Sequence, residues 1–451
     1  MQDIKHIINK RRRGLASFIP FRRPASRNSF RRQDPDPPKR RRRLRLLLPL
    51  IACLLAAYPI FHLLVSAKNA VSSVSRTVVQ PPPPVLSGAL DYANSFRLAQ
   101  ESLASARFEG DRYLSRKPDG STVVYAINQE LQERVKEMMT QYKVPYGVFV
   151  AVEPKSGQIL ALAAHSEIDP AWEAQAVYDL YPMASLFKIV TAASALEERK
   201  VTPQTVVPFR GRLTSENPRY WEARGKRGNQ EMDLTTAMGK SANPVFGRLA
   251  CDVVGKEGIL AGMRRFGFGE ALFPGVPLPP SNGAVPQDDS ALKLMGAGLC
   301  REVKVSPLYV AMMMAAIANK GIMLQPLLAS EVRGSQGKLL YEGKTHPLRR
   351  LVTPETAAQL SQMMSTTVSQ GTSRKVFRDR RGRPKLAAVD IAAKTGSING
   401  SDPPGHYNWF AAYAPINDPQ IALVALIVNG DKWRIKASYM GEQALEAFFH
   451  Q

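Results

Sequence analysis

Ser185 and Lys188 stand three residues apart in Pro182-Met-Ala-Ser-Leu-Phe-Lys-Ile-Val-Thr191, a spacing that on a helix turns both side chains to one face. A serine hydroxyl becomes a useful nucleophile when a base within hydrogen-bond reach takes its proton. A lysine can be that base once burial and cationic neighbours have made it neutral. The chemistry on offer is acyl transfer through a serine ester. The spacing is not decisive alone, because Ser290-Ala-Leu-Lys293 and Ser335-Gln-Gly-Lys338 repeat it, and a serine at a helix start is also an ordinary cap.

Two further segments could complete the surroundings of such a lysine. In Lys240-Ser-Ala-Asn-Pro244 the proline after the asparagine marks a loop before a new helix-like run, and Ala392-Ala-Lys-Thr-Gly-Ser397 lies in strand-like sequence. Leu186, Ile189, Val190, Ala193 and Leu196 recur with helical period, which puts Ser185 near a helix N-terminus. A helix is predicted over 129–141, a β-hairpin over 147–152 and 158–163, and mostly helical sequence from 186 to 320. Strands are predicted over 385–397, 408–414 and 420–428, and a last helix over 438–449. Two early and three late strands around a helical middle imply an α+β fold, an antiparallel five-stranded sheet flanked by helices and closed by both ends of the domain. Trp409, Phe410 and Tyr413 read as core; His406 and Asn408, at the entrance of their strand, read either way.

The 451 residues are 44% hydrophobic and 22% charged, an ordinary globular balance, but the net charge is +23. Residues 1–45 hold 16 Lys/Arg against three acids, so +13 of that excess sits in one basic, Pro/Ser-containing tail that cannot bury a core. Such a tail could meet nucleic acid, but the neighbouring segment accounts for it better. Leu46 to Ala67 carry no acid, lysine or arginine and would span about 33 Å as a helix at roughly 1.5 Å per residue, the thickness of a bilayer core. The basic flank precedes this span, so the positive-inside rule puts the N-terminus in the cytoplasm and the remainder outside. The expected organisation is a disordered cytoplasmic tail (1–45), one transmembrane helix (46–67), a linker and short juxtamembrane segment (68–121) containing Pro81-Pro-Pro-Pro84 and a helix over 87–106, and a catalytic domain (122–451). Cys251 and Cys300 could pair in an oxidising compartment or remain free; no Cys-x-x-Cys or histidine cluster suggests a metal.

Taken in order, Ser185-x-x-Lys188, Ser241-Ala-Asn243 and Lys394-Thr-Gly396 match the Ser-x-x-Lys, Ser-Asp-Asn and Lys-Thr-Gly signature of penicillin-binding proteins and class A β-lactamases. The other two Ser-x-x-Lys pairs lack this sequel. Ser185-Leu-Phe-Lys-Ile-Val-Thr-Ala192, Val305-Ser-Pro-Leu-Tyr309 with Ala316-Ile-Ala-Asn-Lys-Gly321, and Trp409-Phe-Ala-Ala-Tyr-Ala-Pro415 resemble the transpeptidase domain of class B penicillin-binding proteins, over about residues 122–451. The resemblance implies that Ser185 attacks the carbonyl between the last two D-alanines of a peptidoglycan stem peptide. Lys188 would take its proton, Ser241 would relay one to the leaving amine, and Asn243 would hold the donor amide or assist Lys188. Lys394, Thr395 and Ser397 would bind the terminal carboxylate, and Gly396 would admit the substrate backbone. The N–H groups of Ser185 and Ser397 would form an oxyanion hole. No metal or cofactor is implied.

The activity so implied is a membrane-anchored, penicillin-sensitive D,D-transpeptidase of the bacterial cell membrane, facing the periplasm. A D,D-carboxypeptidase, a class D-like β-lactamase, or a penicillin-binding sensor or scaffold are the alternatives. The implied ligands are stem peptides and β-lactam antibiotics; a membrane glycosyltransferase or proteins of the division or elongation machinery are candidate partners. Class B members usually carry a large pedestal before the transpeptidase domain, and only 68–121 are available for one here.

Overall fold

The computed structural model describes residues 88–225 and 227–450. The basic tail and the expected transmembrane helix lie outside the described residues. Among those described, no helix is long and apolar enough to cross a membrane.

The chain enters through helix α1 (Tyr92–Ser102), capped by Asp91, whose side chain accepts from the Asn94 N–H. Three short strands follow: β1 (Arg107–Glu109), β2 (Arg112–Arg116) and β3 (Thr122–Tyr125). Helix α2 (Gln129–Gln141), where predicted, buries one stripe of Leu131, Val135, Met138 and Met139. β4 (Tyr146–Val152) and β5 (Ile159–His165) form the predicted hairpin. A helical region comes next, with α3 (Phe187–Glu197), α4 (Leu234–Lys240), α5 (Asn243–Arg248), α6 (Gly255–Arg265), α7 (Asp289–Gly296) and α8 (Pro307–Ala318). β6 (Ala329–Arg333), β7 (Leu339–Glu342) and α9 (Pro354–Ser369) lead to β8 (Ala392–Ser401), β9 (Pro404–Ala414), β10 (Ile421–Asn429) and α10 (Ala437–Phe449).

The main sheet has the order β8-β9-β10-β4-β5 and is antiparallel throughout, as expected. β10 is buried along its whole length because both its faces are covered, and its near-continuous apolar run IALVALIV reflects this. Ala422, Val424, Leu426 and Val428 face a core shared with α3 and α8, while Leu423, Ala425 and Ile427 face one shared with α2 and α10. Trp409, Phe410 and Tyr413 are core residues. β8 starts at Ala392 and not at Lys385. Residues 385–388 instead form a turn, with the Val389 N–H donating to the Leu386 carbonyl (3.2 Å), after a tight turn over 379–383 in which Asp379 accepts from the Arg381 and Arg383 N–H groups.

A second sheet runs β1-β2-β3-β6-β7. β3 is hydrogen-bonded to β2 on one side and β6 on the other, so residue 122 falls between two paired strands, and the chain from about Leu90 onward is part of this fold.

Candidate active site

Ser185 sits on a one-turn 3₁₀ segment, Ala184–Leu186, that runs into α3. Ala184 before it has φ +53°, a left-handed conformation uncommon for a residue with a Cβ. Gly298 (φ +70°) lies against this turn: a Cβ there would run into the Ala184 carbonyl and come within 2.9 Å of Ser185 Cα. Lys188, one turn on, is fully buried. Its Nζ is 2.8 Å from Ser185 Oγ, 2.8 Å from Asn243 Oδ1 and 2.5 Å from the Ala297 carbonyl. Burial, and next the charge of Lys394, hold Lys188 well below the ordinary lysine range.

Ser241 ends α4 in the left-handed conformation (φ +55°, ψ +44°), and Asn243 opens α5 with Pro244 behind it. This sharp turn between two short helices delivers Ser241 and Asn243 to the same cleft. Ala242 between them is fully buried, so the middle position that is aspartate in the Ser-Asp-Asn pattern is here a core position. Asn243 Nδ2 donates to the Ser215 carbonyl (3.2 Å), which aims Oδ1 at Lys188.

Lys394 lies on β8, the outer strand of the main sheet, and is fully buried; its Nζ donates to Ser241 Oγ (2.8 Å) and to the Thr395 carbonyl (2.7 Å). Burial pushes it down to about 7. Thr395 and Thr372 share a hydrogen bond of 2.7 Å between their hydroxyls. Ser397 Oγ accepts from Asn408 Nδ2 (3.1 Å), and Asn408 Oδ1 accepts from the Ala437 N–H at the start of α10. A Cβ at Gly396 would stand 3.2 Å from Ala184 Cβ and 3.3 Å from Trp409. The glycine therefore lets β8 lie against the Ser185 turn. Trp409 Nε1 donates to the Pro182 carbonyl (2.9 Å) and ties the neighbouring strand to the same turn.

Ser185, Ser241, Asn243, Thr395 and Ser397 line one cleft of about 280 Å³, with Thr372, Arg301 and His406 on its walls. The sequence leaves His406 ambiguous and does not point to Thr372, Arg301 or the Ala297 carbonyl. A main-chain oxygen has no residue-type signature, and Thr372 is marked only by its position opposite Thr395. Both decoy pairs lie elsewhere: Lys293 is paired with Glu222, and Ser335 is exposed in the turn between β6 and β7. Cys251 and Cys300 are both free thiols.

Such a fold, with a serine, a buried lysine and an asparagine over a second lysine on the outer strand, defines a serine acyl-transferase class. The penicillin binding protein transpeptidase domain family matches residues 147–451, and the chain belongs to that family. Peptidoglycan D,D-transpeptidase PbpA of Mycolicibacterium smegmatis is 30% identical over 358 residues, 71% of this chain and 70% of that protein. PbpA of Mycobacterium tuberculosis is 29% identical over 356 residues, with the same shares. Among solved structures, the imipenem acyl-enzyme complex of penicillin-binding protein A from M. tuberculosis superposes with a TM-score of 0.60 at 26% identity, covering 72% of this chain and 79% of that one.

Proposed function

We propose that the protein is a D,D-transpeptidase that cross-links peptidoglycan stem peptides through an acyl-enzyme on Ser185, and that β-lactams acylate the same oxygen. The reading rests on one observation above all: Lys188 Nζ lies between Ser185 Oγ, Asn243 Oδ1 and the Ala297 carbonyl. A neutral amine has two N–H bonds and one lone pair. If Asn243 and Ala297 take the two hydrogens, the lone pair is left for the Ser185 hydroxyl.

Ser185 Oγ then attacks the carbonyl between the two terminal D-alanines as its proton passes to Lys188. The C–N bond breaks while Ser241 gives its hydroxyl proton to the departing amine, and Lys394, 2.8 Å from Ser241 Oγ, refills it. D-Alanine leaves. In the second half an amine of a neighbouring stem attacks the ester, its proton returns through Ser241 to Lys394, and Lys188 restores the proton of Ser185. Thr395 and Ser397 hold the donor's terminal carboxylate, and the N–H groups of Ser185 and Ser397 receive the oxyanion.

A single membrane span over 46–67, with the catalytic domain outside the cell membrane, is proposed from the apolar run and its basic flank. Fluorescent penicillin should label the full-length protein covalently, and Ser185→Ala should abolish the label; label that persists, or moves to Ser290 or Ser335, rejects the assignment. Counting released D-alanine and cross-linked dimers from lipid-linked glycan strands separates a transpeptidase from a carboxypeptidase, and both from a sensor without turnover.

A further inference from the structure

A second cavity, of about 270 Å³, lies behind the strand that carries Lys394, between the last turns of α9, the segment 377–391 and Ile416 after β9. Much of its wall is apolar, with Val368, Phe377, Leu386 and Ile391 contributing, and Phe377 is held by stacking on Phe410 of the core, ring centroids 5.7 Å apart. The polar groups of α9 that reach it are already used: Ser365 Oγ donates to the Gln362 carbonyl and Ser369 Oγ to the Ser365 carbonyl.

Arg378 differs. Its two Nη groups donate to the Gly382 carbonyl (2.5 Å) and, at 3.5 Å, to the Ser369 carbonyl, while its buried Nε–H has no partner among the described residues. No carboxylate pairs with it among those residues. The adjacent Asp379 is engaged by Arg383, and Asp390, which also lines the cavity, is solvent-exposed. Buried N–H groups are almost always satisfied, more so when they are charged. The surrounding turn adds exposed cations at Arg374, Lys375, Arg380 and Arg381, so the local field favours an anion.

We propose that this cavity binds a small amphipathic anion, a carboxylate on a short apolar body, whose oxygen accepts from Arg378 Nε while the body lies against Phe377, Leu386 and Ile391. The volume sits just below the range of about 300–1,000 Å³ common for drug-sized ligands, which suits a fragment-sized one. The site shares no residue with the catalytic cleft, and the proposal does not depend on the reaction assigned to Ser185.

The test uses the full-length protein and a photoreactive, diazirine-bearing derivative of 4-phenylbutyrate. Cross-links are expected to saturate, to map to peptides containing Val368, Phe377 or Leu386, and to be competed by 4-phenylbutyrate about tenfold or more better than by neutral 4-phenylbutan-1-ol, the difference a charge-assisted hydrogen bond makes. Arg378→Met, which removes the donor, and Val389→Trp, which fills the cavity, should each weaken saturation about tenfold, with penicillin labelling of Ser185 kept as the check that the variant is folded. Equal competition by acid and alcohol, cross-links that map elsewhere, or an unchanged half-saturation in a folded Arg378→Met would each overturn the proposal. The acid-against-alcohol comparison on the unmutated protein decides the matter even where a variant fails to fold.

Discussion

Two buried lysines share one cleft, and the proposed chemistry requires them in opposite states. Lys188 has to be neutral to accept the Ser185 proton, and both burial and the charge of Lys394 push it that way. Lys394 has to be charged to face a carboxylate, and burial brings it to about 7, so it carries charge below neutrality and loses it above. The acylation rate constant of the free enzyme should therefore follow a bell in pH. It falls on the acid side as Lys188 gains a proton, and on the alkaline side from about pH 7 as Lys394 loses one, approaching about tenfold per pH unit. Stopped-flow acylation by a chromogenic β-lactam between pH 5 and 10 measures it. A rate that climbs steadily to pH 10 would mean that the Lys394 charge is not needed. The same depression affects stability. An unfolded chain protonates Lys394 below 10.5 and the folded one only below about 7, so Lys394 makes the native protein lose stability as pH falls from 10.5 to 7 and adds no further loss below that. At roughly 1.36 kcal/mol per pH unit the whole span is about 5 kcal/mol. Lys394→Met lacks this slope: its melting temperature relative to the native protein should be higher at pH 7 than at pH 10, while acylation is lost. An equal offset at the two pH values would contradict the burial argument.

At the scale of elements, the site is a meeting of turns. The Ser185 turn, the Ser241 turn and the edge strand β8 come from three distant stretches; the two turns depart from regular structure where they present their side chains, and β8 presents Lys394 from a regular antiparallel register. Ala184 and Ser241 are both left-handed, and Gly298 and Gly396 let two other segments press closely on the Ser185 turn. Gly298→Ala would strain a positive φ and push a methyl group into the Ala184 carbonyl, displacing Ser185 from Lys188. A displacement of about 1 Å costs roughly a hundredfold in rate, so acylation should drop by about that factor while the melting temperature falls only modestly; unchanged acylation would show that the turn yields without moving Ser185. Much of this arrangement is legible in the sequence. The three motifs name Ser185, Lys188, Ser241, Asn243 and Lys394, and the period-two and period-3.6 patterns give the main sheet and α2. Other parts are not. α9 escapes the pattern although Thr353 caps it and Pro354 occupies its first turn, because its mixed Thr/Ser/Gln face lowers the hydrophobic contrast that reveals a helix. β6 and β7 run five and four residues, too short for alternation to stand out. The contributions of Ala297 and Gly298 are those of a carbonyl and of a missing side chain, which only the folded chain displays.

At the scale of the whole molecule, the smaller sheet decides where the catalytic unit starts. Composition suggests a boundary at the turn before Thr122, yet Phe96, Tyr113 and Leu114 are buried, and Tyr125 of β3 donates its hydroxyl to the Ala99 carbonyl (2.8 Å). Tyr92 does the same to the Pro326 carbonyl (2.8 Å) from the start of α1, so α1 and β2 cover β3 and the chain just before β6. Removing residues before 122 strips that cover and leaves β3 as an open edge. At about 1.5–3 kcal/mol contributed by each large side chain that is buried on folding, removing Phe96, Tyr113 and Leu114 from the core alone forfeits roughly 5–9 kcal/mol, as much as many domains possess. A protein beginning at Gly88 should therefore stay soluble and be acylated by penicillin at the full-length rate. One beginning at Thr122 should melt far lower, aggregate or go unlabelled. Equal melting temperatures for the two would mean that the smaller sheet is an appendage and that the transpeptidase fold stands without it.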